Sequence, residues 1–231
     1  KSADKAIQQA MSIARISPSI KGFTLPSNQD AGEVKGLFDK KILSIGPEDL
    51  LEQADSILNE VSSLDKRAVV TGGGLGGSAT AGILTSSEGI DHHGITTSHG
   101  LGVQVSIDEN DQLTSSWQGE SSKKLIEVIP NCVAKSVEWA QKTRDPIKVD
   151  NGAEDLPVLM TSEGIGSLFS IVIPSAIRGE RLARMESFWS GKQGHHVLAE
   201  DLTLIDNARM EGGISSSSRD GEGVPTQSQV I

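Results

Sequence analysis

The chain has few of the residues on which whole classes of protein depend. It contains no tyrosine, four phenylalanines and three tryptophans, so it has few of the aromatic rings on which single-stranded nucleic acids stack. Its formal net charge is −10, with 31 acidic and 21 basic residues, which argues against a surface that follows a phosphate backbone. Direct binding of nucleic acid is therefore not expected.

Cysteine and long apolar runs are also scarce. Cys132 is the single cysteine, which excludes an internal disulfide and favours a reducing compartment; its surroundings are typical of a small core residue. No run approaches the roughly 20 apolar residues of a membrane span, and no signal-peptide pattern opens the chain. We expect a soluble, cytoplasmic protein. Because the chain starts at Lys1 directly in a helical pattern, we also expect a piece of something longer.

Helical spacing of apolar residues is present on both sides of a strand-like region. A second helix begins at Pro47 with two acids in its first turn and is the clearest of the chain. Pro130 predicts a kink or restart, Ser162 is a candidate cap, and Pro174 predicts an interruption. The predicted helices are 3–16, 47–61, 121–143, 162–172 and 178–185.

Between the second and third helices the pattern changes to β-branched and alternating residues separated by Gly-rich or Asp-rich corners. Asp108 to Asp111 has the composition of a hairpin turn. An irregular connection over 17–46 is expected to bring Leu37 and Phe38 into the core. The predicted strands are 67–71, 80–86, 93–99, 100–107 and 113–118, an antiparallel meander, with 156–160 and 202–205 further on.

These elements predict an α+β fold with a domain boundary in the polar stretch 144–155. The first part combines helices with an antiparallel sheet. The closing stretch 187–225 consists of glycines, acids and small polar residues between short apolar runs, which is typical of turns that join strands. Three of its glycines are expected to supply positive φ angles in tight turns, from among Gly212, Gly213, Gly221 and Gly223.

The glycine run that follows the first strand has the spacing of a dinucleotide-binding turn. Gly72, Gly74 and Gly77 satisfy G-x-G-x-x-G, but such a turn must open into a helix that holds the pyrophosphate. The residues after Gly77 are β-branched and interrupted by glycine. A glycine-rich hairpin is therefore the preferred interpretation, and no nucleotide cofactor is expected.

The histidines occur as His92, His93, His99, His195 and His196. Adjacent residues of a strand point to opposite faces, so neither pair is a ready chelate. No two histidines lie four apart on a helix, as in the zincins. Exposed or turn histidines are the preferred interpretation, and His195 and His196 remain weak candidates for metal ligands.

Several short sequence motifs, in the same order and with matching spacing, resemble those of the TldD/PmbA family. They are Leu156-Pro-Val-Leu-Met-Thr-Ser-Glu, Pro174-Ser-Ala-Ile-Arg-Gly-Glu, Ser187-Phe-Trp-Ser-Gly-Lys-Gln-Gly, Asp201-Leu-Thr-Leu-Ile-Asp and Asp220-Gly-Glu-Gly-Val-Pro. The resemblance extends over most of the chain from the second helix onward. The family-motif residues it marks are Ser187, Phe188, Gly191, Gly194, Asp206, Asp220, Glu222 and Gly223.

The resemblance implies a function. Members of this family, once named modulators of DNA gyrase, form a heterodimeric zinc metalloprotease for unfolded peptides. In the TldD type, a helix carries His-Glu-x-x-x-His, whereas the matching region 168–182 of this chain has no histidine. The chain therefore resembles the PmbA/TldE type, a subunit with no catalytic residues and no metal ligands. Zinc is expected only in its TldD-type partner.

The resemblance also bears on domains. Family members are longer, so 1–150 would be the later part of an N-terminal α+β domain and 151–231 the start of a β-rich C-terminal domain. Two alternatives stay open. One is a homodimeric peptide-binding or scaffold protein, whose strand region adds an extended peptide to a sheet edge. The other is an independent metallopeptidase that uses His195 and His196.

Overall fold

The computed structural model describes residues 2–18, 24–148 and 157–231. Its strands form a three-stranded antiparallel sheet, β1-β2-β3, and a separate antiparallel pair, β4-β5. Helices and antiparallel strands both contribute, so the predicted α+β class is confirmed. The helices are α1 (Ser2–Ile16), α2 (Pro47–Leu64), α3 (Asn131–Lys142), α4 (Ser162–Ile177) and α5 (Gly179–Ala183), with a 3-10 helix at Lys40–Ser44. The strands are β1 (Ala68–Thr85), β2 (Asp91–Glu109), β3 (Gln112–Ser122), β4 (Ile205–Asn207) and β5 (Ser228–Val230).

Helix α2 shows how local signals and packing agree. Pro47 occupies the first turn, and the Asp49 carboxylate accepts a hydrogen bond of 2.7 Å from the Gly46 amide, which satisfies one of the free donors at the helix start. Ile57 and Val61 are buried on its inner face. Helix α1 also forms as predicted, although none of its side chains is buried.

The main sheet is built on a hairpin of two very long strands. β1 pairs with β2 from Ala68 to Thr85, with one irregularity between Val70 and Gly72. The prediction of four separate strands over 67–107 is wrong, because the glycine run stays in the ladder and does not break it. A continuous strand at Gly72–Gly77 also confirms that this run opens no helix. Asn110 and Asp111 form the turn to β3 with φ angles of 55° and 60°, which confirms the hairpin predicted there.

The hydrophobic core lies between this sheet and helices α2 and α3. Alternate residues of β2, from Leu101 to Ile107, point toward the helices and are buried. Cys132 of α3 belongs to the same cluster, as predicted, and burial raises the pKa of its thiol. The other principal members of the core are Val61, Val103, Val105, Val133, Val137 and Ala140.

The helix predicted over 121–143 is wrong in its first half. Residues 123–130 form a loop, and Pro130 stands at the N-cap of α3. The Leu125 amide donates to the Asp39 carboxylate at 3.0 Å, and the Ile126 amide donates to His99 Nδ1 at 3.4 Å. These bonds to distant residues hold the loop in place, so the apolar spacing there does not indicate a helix.

Several expectations beyond residue 156 also fail. Residues 157–160 form no strand, and Leu159 is fully exposed; residue 156 lies outside the described ranges. Thr161, not Ser162, caps α4 by accepting from the Gly164 amide. Pro174 lies within α4, on its exposed side, where water can satisfy the carbonyl that the missing N–H leaves free. The short strand begins at Ile205, later than predicted.

The remaining expectations concern the connection before α2, the domain boundary and the strands of the last part of the chain. Leu37 is half-buried and Phe38 is 41% exposed, so the connection enters the core less deeply than expected. The proposed domain boundary at 144–155 falls largely on 149–156, outside the described residues, and stays a prediction. In 157–231 the strands are the three-residue pair β4 and β5. No helix in the described ranges is long and apolar enough to cross a membrane.

Candidate functional site

Ser187 holds in place the turn that carries half of the family-motif residues. Its side chain is buried, and its hydroxyl donates to the Ala176 carbonyl at 2.6 Å while it accepts from the Trp189 amide at 3.0 Å. The first bond reaches the end of α4 and the second closes the turn. Phe188 is exposed, and its ring meets that of Trp189 edge to face at 5.3 Å between centroids.

Two glycines let the chain turn repeatedly after Trp189. Gly191 and Gly194 have φ angles of 75° and 80°, a region that side chains with a Cβ atom rarely adopt. Successive backbone bonds run from the Lys192 amide to the Trp189 carbonyl and from the His195 amide to the Lys192 carbonyl. The result is a compact loop, 187–197, held against α4.

This loop forms one wall of a depression that we call the C-terminal cleft. Its volume is about 750 Å³, and the other walls are the ends of α4 and α5 and the pair β4-β5. Trp189, His195 and Asp206 line it together with apolar residues such as Leu182. The size suits a small ligand or a short piece of peptide, and the mixture of aromatic, apolar and few polar groups is typical of binding sites.

The structure thus brings together Gly191, Gly194 and Asp206, with Ser187 behind them. His195 lines the cleft and also a neighbouring depression of about 260 Å³, whereas His196 lines that depression and not the cleft. Both imidazole-bearing residues are exposed.

The donor groups do not suit a zinc site of the kind the family implies. Glu163 is the only acidic residue of α4, which has no histidine or cysteine. Within residues 2–18, 24–148 and 157–231, no three His, Cys, Asp or Glu side chains are grouped to hold a metal ion. Structural and catalytic zinc sites need three or four such ligands. The roles of His195 and His196 as ligands stay a hypothesis.

The acidic corner at 220–223 lies apart from the cleft. Asp220 accepts hydrogen bonds of 2.9 Å from the amides of Glu222 and Val224, so its carboxylate shapes the turn. Gly223 has a φ angle of 93° and packs against Ile90 at the tip of the β1–β2 hairpin. Glu222 is exposed. Three of the four glycines at 212, 213, 221 and 223 were predicted to supply positive φ angles, and two of them, Gly212 and Gly223, do so.

Two arginines in this region were not singled out by the sequence patterns. Arg219 donates to the Gly223 carbonyl at 2.6 Å and to the Asn28 side chain at 3.0 Å, while Arg209 donates to the Glu33 carbonyl at 3.1 Å. Together they fasten the connection 24–36 to the closing stretch of the chain. The only signal for them in the sequence is that each has a long cationic side chain in a Gly/Ser-rich stretch with few carboxylates. Backbone carbonyl groups are then the acceptors within reach.

The strongest electrostatic cluster belongs to the sheet and not to the cleft. Asp65 is buried, and its carboxylate accepts from Arg67 Nη2 at 2.7 Å and from Gln141 Nε2 at 2.8 Å. The hydrogen bonds from Arg67 and then from Gln141 hold the pKa of Asp65 well below its usual range. Shifted pKa values often mark functional sites. Here, however, every lone pair of the Asp65 carboxylate accepts a hydrogen bond, and these bonds join α2, β1 and α3.

His99 is the buried histidine. Its Nδ1 accepts from the Ile126 amide, so the proton of the neutral ring is on Nε2. The Nε2 atom is buried and has no hydrogen-bond partner among the described residues. Burial lowers the pKa of His99, because a charged ring would lose its hydration.

Comparisons with known proteins agree with this geometry. Residues 153–231 match a family model described as the PmbA/TldA metallopeptidase C-terminal domain. The crystal structure of TldE from Thermococcus kodakarensis is similar over 98% of this chain, with a TM-score of 0.85 and 25% identity. The chain is therefore similar to TldE over nearly its whole length, and its last part, 153–231, is similar to the C-terminal domain of PmbA/TldA proteins.

Other relatives share the same arrangement. A protein of Bacteroides thetaiotaomicron, described as a proposed modulator of DNA gyrase, has the same fold over 98% of this chain, with a TM-score of 0.79 and 21% identity. An uncharacterized protein of Methanocaldococcus jannaschii is 26% identical over 199 residues, which are 86% of this chain and 45% of that protein. The chain covers 51% of the Thermococcus structure and 53% of the Bacteroides structure, so it spans about half the length of these relatives.

Proposed function

We propose that the chain is a non-catalytic, PmbA/TldE-like subunit of a TldD/TldE-type zinc metalloprotease complex that acts on unfolded peptides. The observation that carries the proposal is the composition of α4. In the family resemblance, the catalytic subunit presents two histidines and a glutamate on the corresponding helix, and α4 presents Glu163 alone. Because zinc-bound hydroxide needs several fixed ligands, the metal is assigned to the partner.

The C-terminal cleft supports the same role. It is large enough for a short peptide segment, and it combines the Trp189 ring with apolar walls. Such a surface can hold an unfolded chain without cutting it. A TldD-type chain would supply the metal and the attacking water, and the two chains together would complete the peptidase. The cytoplasm is the proposed compartment.

The proposal is tested by expressing the chain alone and together with a TldD-type partner. We expect stable co-purification, zinc in proportion to the partner, and casein cleavage only when both chains are present. A matched control is the same pair in which the partner's zinc-binding histidines are replaced by alanine. Stoichiometric zinc and cleavage by this chain alone would overturn the proposal.

The two alternatives make different predictions. An independent metallopeptidase would lose metal when His195 and His196 are both replaced by alanine, whereas the proposed subunit would show no change in metal content. A homodimeric scaffold would fail to co-purify with any TldD-type chain and would elute as a dimer. The likeness to TldE favours the subunit over both.

A further inference from the structure

Strand β1 forms an open edge of the main sheet. It is 18 residues long, and among the described residues it pairs with β2 alone. Within the part of the chain that the structure describes, no strand pairs with its outer N–H and C=O groups. Natural edge strands are usually protected by lysine, proline or a short length. β1 contains no charged residue and no proline over its whole length, so it has little protection of this kind.

A groove lies on the helix-facing side of β1, between this strand and α2, and it reaches Gly102 and Val103 of β2. Its volume is about 310 Å³. The floor is made by glycines, so a bound chain can approach the backbone closely, and the wall is apolar. Leu58 on this wall is 49% exposed. Its principal lining residues are Ala54, Ile57 and Leu58 of α2 and Gly72, Gly73 and Gly74 of β1.

The acidic residues of α2 indicate which kind of partner fits the groove. α2 carries five acidic residues and no basic one. Asp55 lies three residues before Leu58 and so flanks the groove side of the helix, whereas Glu60 lies on the opposite flank. A second copy of the chain would bring another acidic α2 and a net charge of −10 to this edge, which disfavours self-pairing. An extended segment with lysine or arginine beside apolar residues is complementary.

From this geometry we propose that β1 and α2 form a docking groove for an extended, cationic segment of a separate polypeptide. The segment adds to the sheet as a strand next to β1, with its apolar side chains against Leu58 and its cations near Asp55. This mode of recognition takes affinity from main-chain hydrogen bonds and selectivity from alternate side chains. The groove is remote in sequence from the C-terminal cleft, and the proposal does not depend on the proposed function.

The probe is the fluorescein-labelled peptide Lys-Thr-Val-Thr-Val-Thr-Lys, whose lysines and valines share one face of a strand. Two further versions carry N-methyl groups on alternate residues, one along each edge. Binding to the full chain is followed by fluorescence anisotropy, and hydrogen exchange of 68–85 reports protection of β1. We expect the parent peptide and one methylated version to bind, and the other methylated version to fail, because only one peptide edge pairs with β1.

Matched variants locate the groove. Leu58 and Leu64 of α2 are 49% and 44% exposed, but of these two only Leu58 lines the groove. Leu58→Ala should weaken binding by about tenfold, as expected for about 1.4 kcal/mol, and Leu64→Ala should leave it unchanged. Asp55→Lys should weaken it by about three- to fivefold, in the range of exposed ion pairs, and Glu60→Lys by less.

Several results would overturn the proposal. Equal binding of both methylated peptides would mean simple charge attraction. Outer β1 amides that are already protected in the free monomer would mean that another part of the same chain occupies the edge. A dimer that Leu58→Ala converts to monomer would assign the groove to a second copy. None of these measurements uses a protease partner, so failure here leaves the proposed function untouched.

Discussion

Replacing Gly223 by alanine tests whether the acidic corner is held against the hairpin tip as the structure shows. Two costs add at this position. An alanine with a φ angle of 93° is strained by about 1–2 kcal/mol. Its Cβ would also lie 2.7 Å from Ile90 Cδ1, and Ile90 is only 2% exposed, so overpacking adds about 1–3 kcal/mol. We expect a loss of about 2–5 kcal/mol in the free energy of unfolding.

Two companion variants separate the two costs. Gly221 has open space around its Cβ position and no positive φ, so Gly221→Ala should change stability by less than about 0.5 kcal/mol. Ile90→Val deletes the Cδ1 atom that alanine at 223 would meet. Alone it should cost about 0.5–1.5 kcal/mol, but in the Gly223→Ala background it should cost less or be favourable, because it relieves the contact.

Urea denaturation gives the free energies, and hydrogen exchange of 84–91 and 219–225 shows whether the loss is local. The reasoning is refuted if Gly223→Ala and Gly221→Ala are equally stable. It is also refuted if Ile90→Val costs the same in both backgrounds, since the two sites would then not be coupled.

Three other predictions concern separate parts of the molecule. Gly102→Ala places a Cβ 2.4 Å from Trp117 Cζ2, so thermal melting should show a loss of about 1–2 kcal/mol that largely disappears in a Trp117→Leu background. Because burial lowers the pKa of His99, the unfolded chain binds a proton first as pH falls below about 6.5; urea titrations should show stability declining from there toward pH 5, and less so in His99→Gln. Ser187→Ala leaves the Ala176 carbonyl and Trp189 amide without a partner, which should cost about 1–3 kcal/mol and speed proteolysis of the 187–197 loop.

Local signals predicted those elements in which one stretch of chain decides its own structure. The first turn of α2 combines Pro47 with a carboxylate that caps it, and these cues act within four residues. The turn at Asn110 and Asp111 depends on residues that tolerate positive φ. Both were predictable because no distant contact competes with them.

Elements that depend on distant partners were predicted poorly. The apolar residues of the loop before α3 have helical spacing, yet Asp39 and His99 accept hydrogen bonds from its amides. No sequence pattern around residues 121–130 indicates those distant partners. The glycine run in β1 seemed to divide the strand, but pairing with β2 carries the ladder through it. Pro174 is tolerated because its side of α4 faces solvent, which the sequence does not state.

The candidate site was predicted in part for the same reason. The motif around Ser187 marked the loop that walls the C-terminal cleft. The motif could not show that Asp220 and Gly223 lie in a separate turn, because the position of that turn depends on its packing against Ile90 at the tip of the β1–β2 hairpin. Arg209 and Arg219 escaped notice because their partners are backbone carbonyl groups some 170 to 190 residues earlier.

The bonds made by these two arginines have a consequence for the time at which the chain can finish folding. The connection 24–36 is synthesised well before the closing stretch, since Arg219 follows Asn28 by 191 residues in the bond that joins them. At about 5–20 residues per second, the connection waits roughly 10 to 40 seconds for its bonds to the arginine. During that interval the three-stranded sheet can assemble from neighbouring residues, and the bond of 3.3 Å from the Asn28 amide to the Glu88 carbonyl can hold the connection to the hairpin tip. Chaperones that shield nascent chains would meet the connection in this incompletely bonded state.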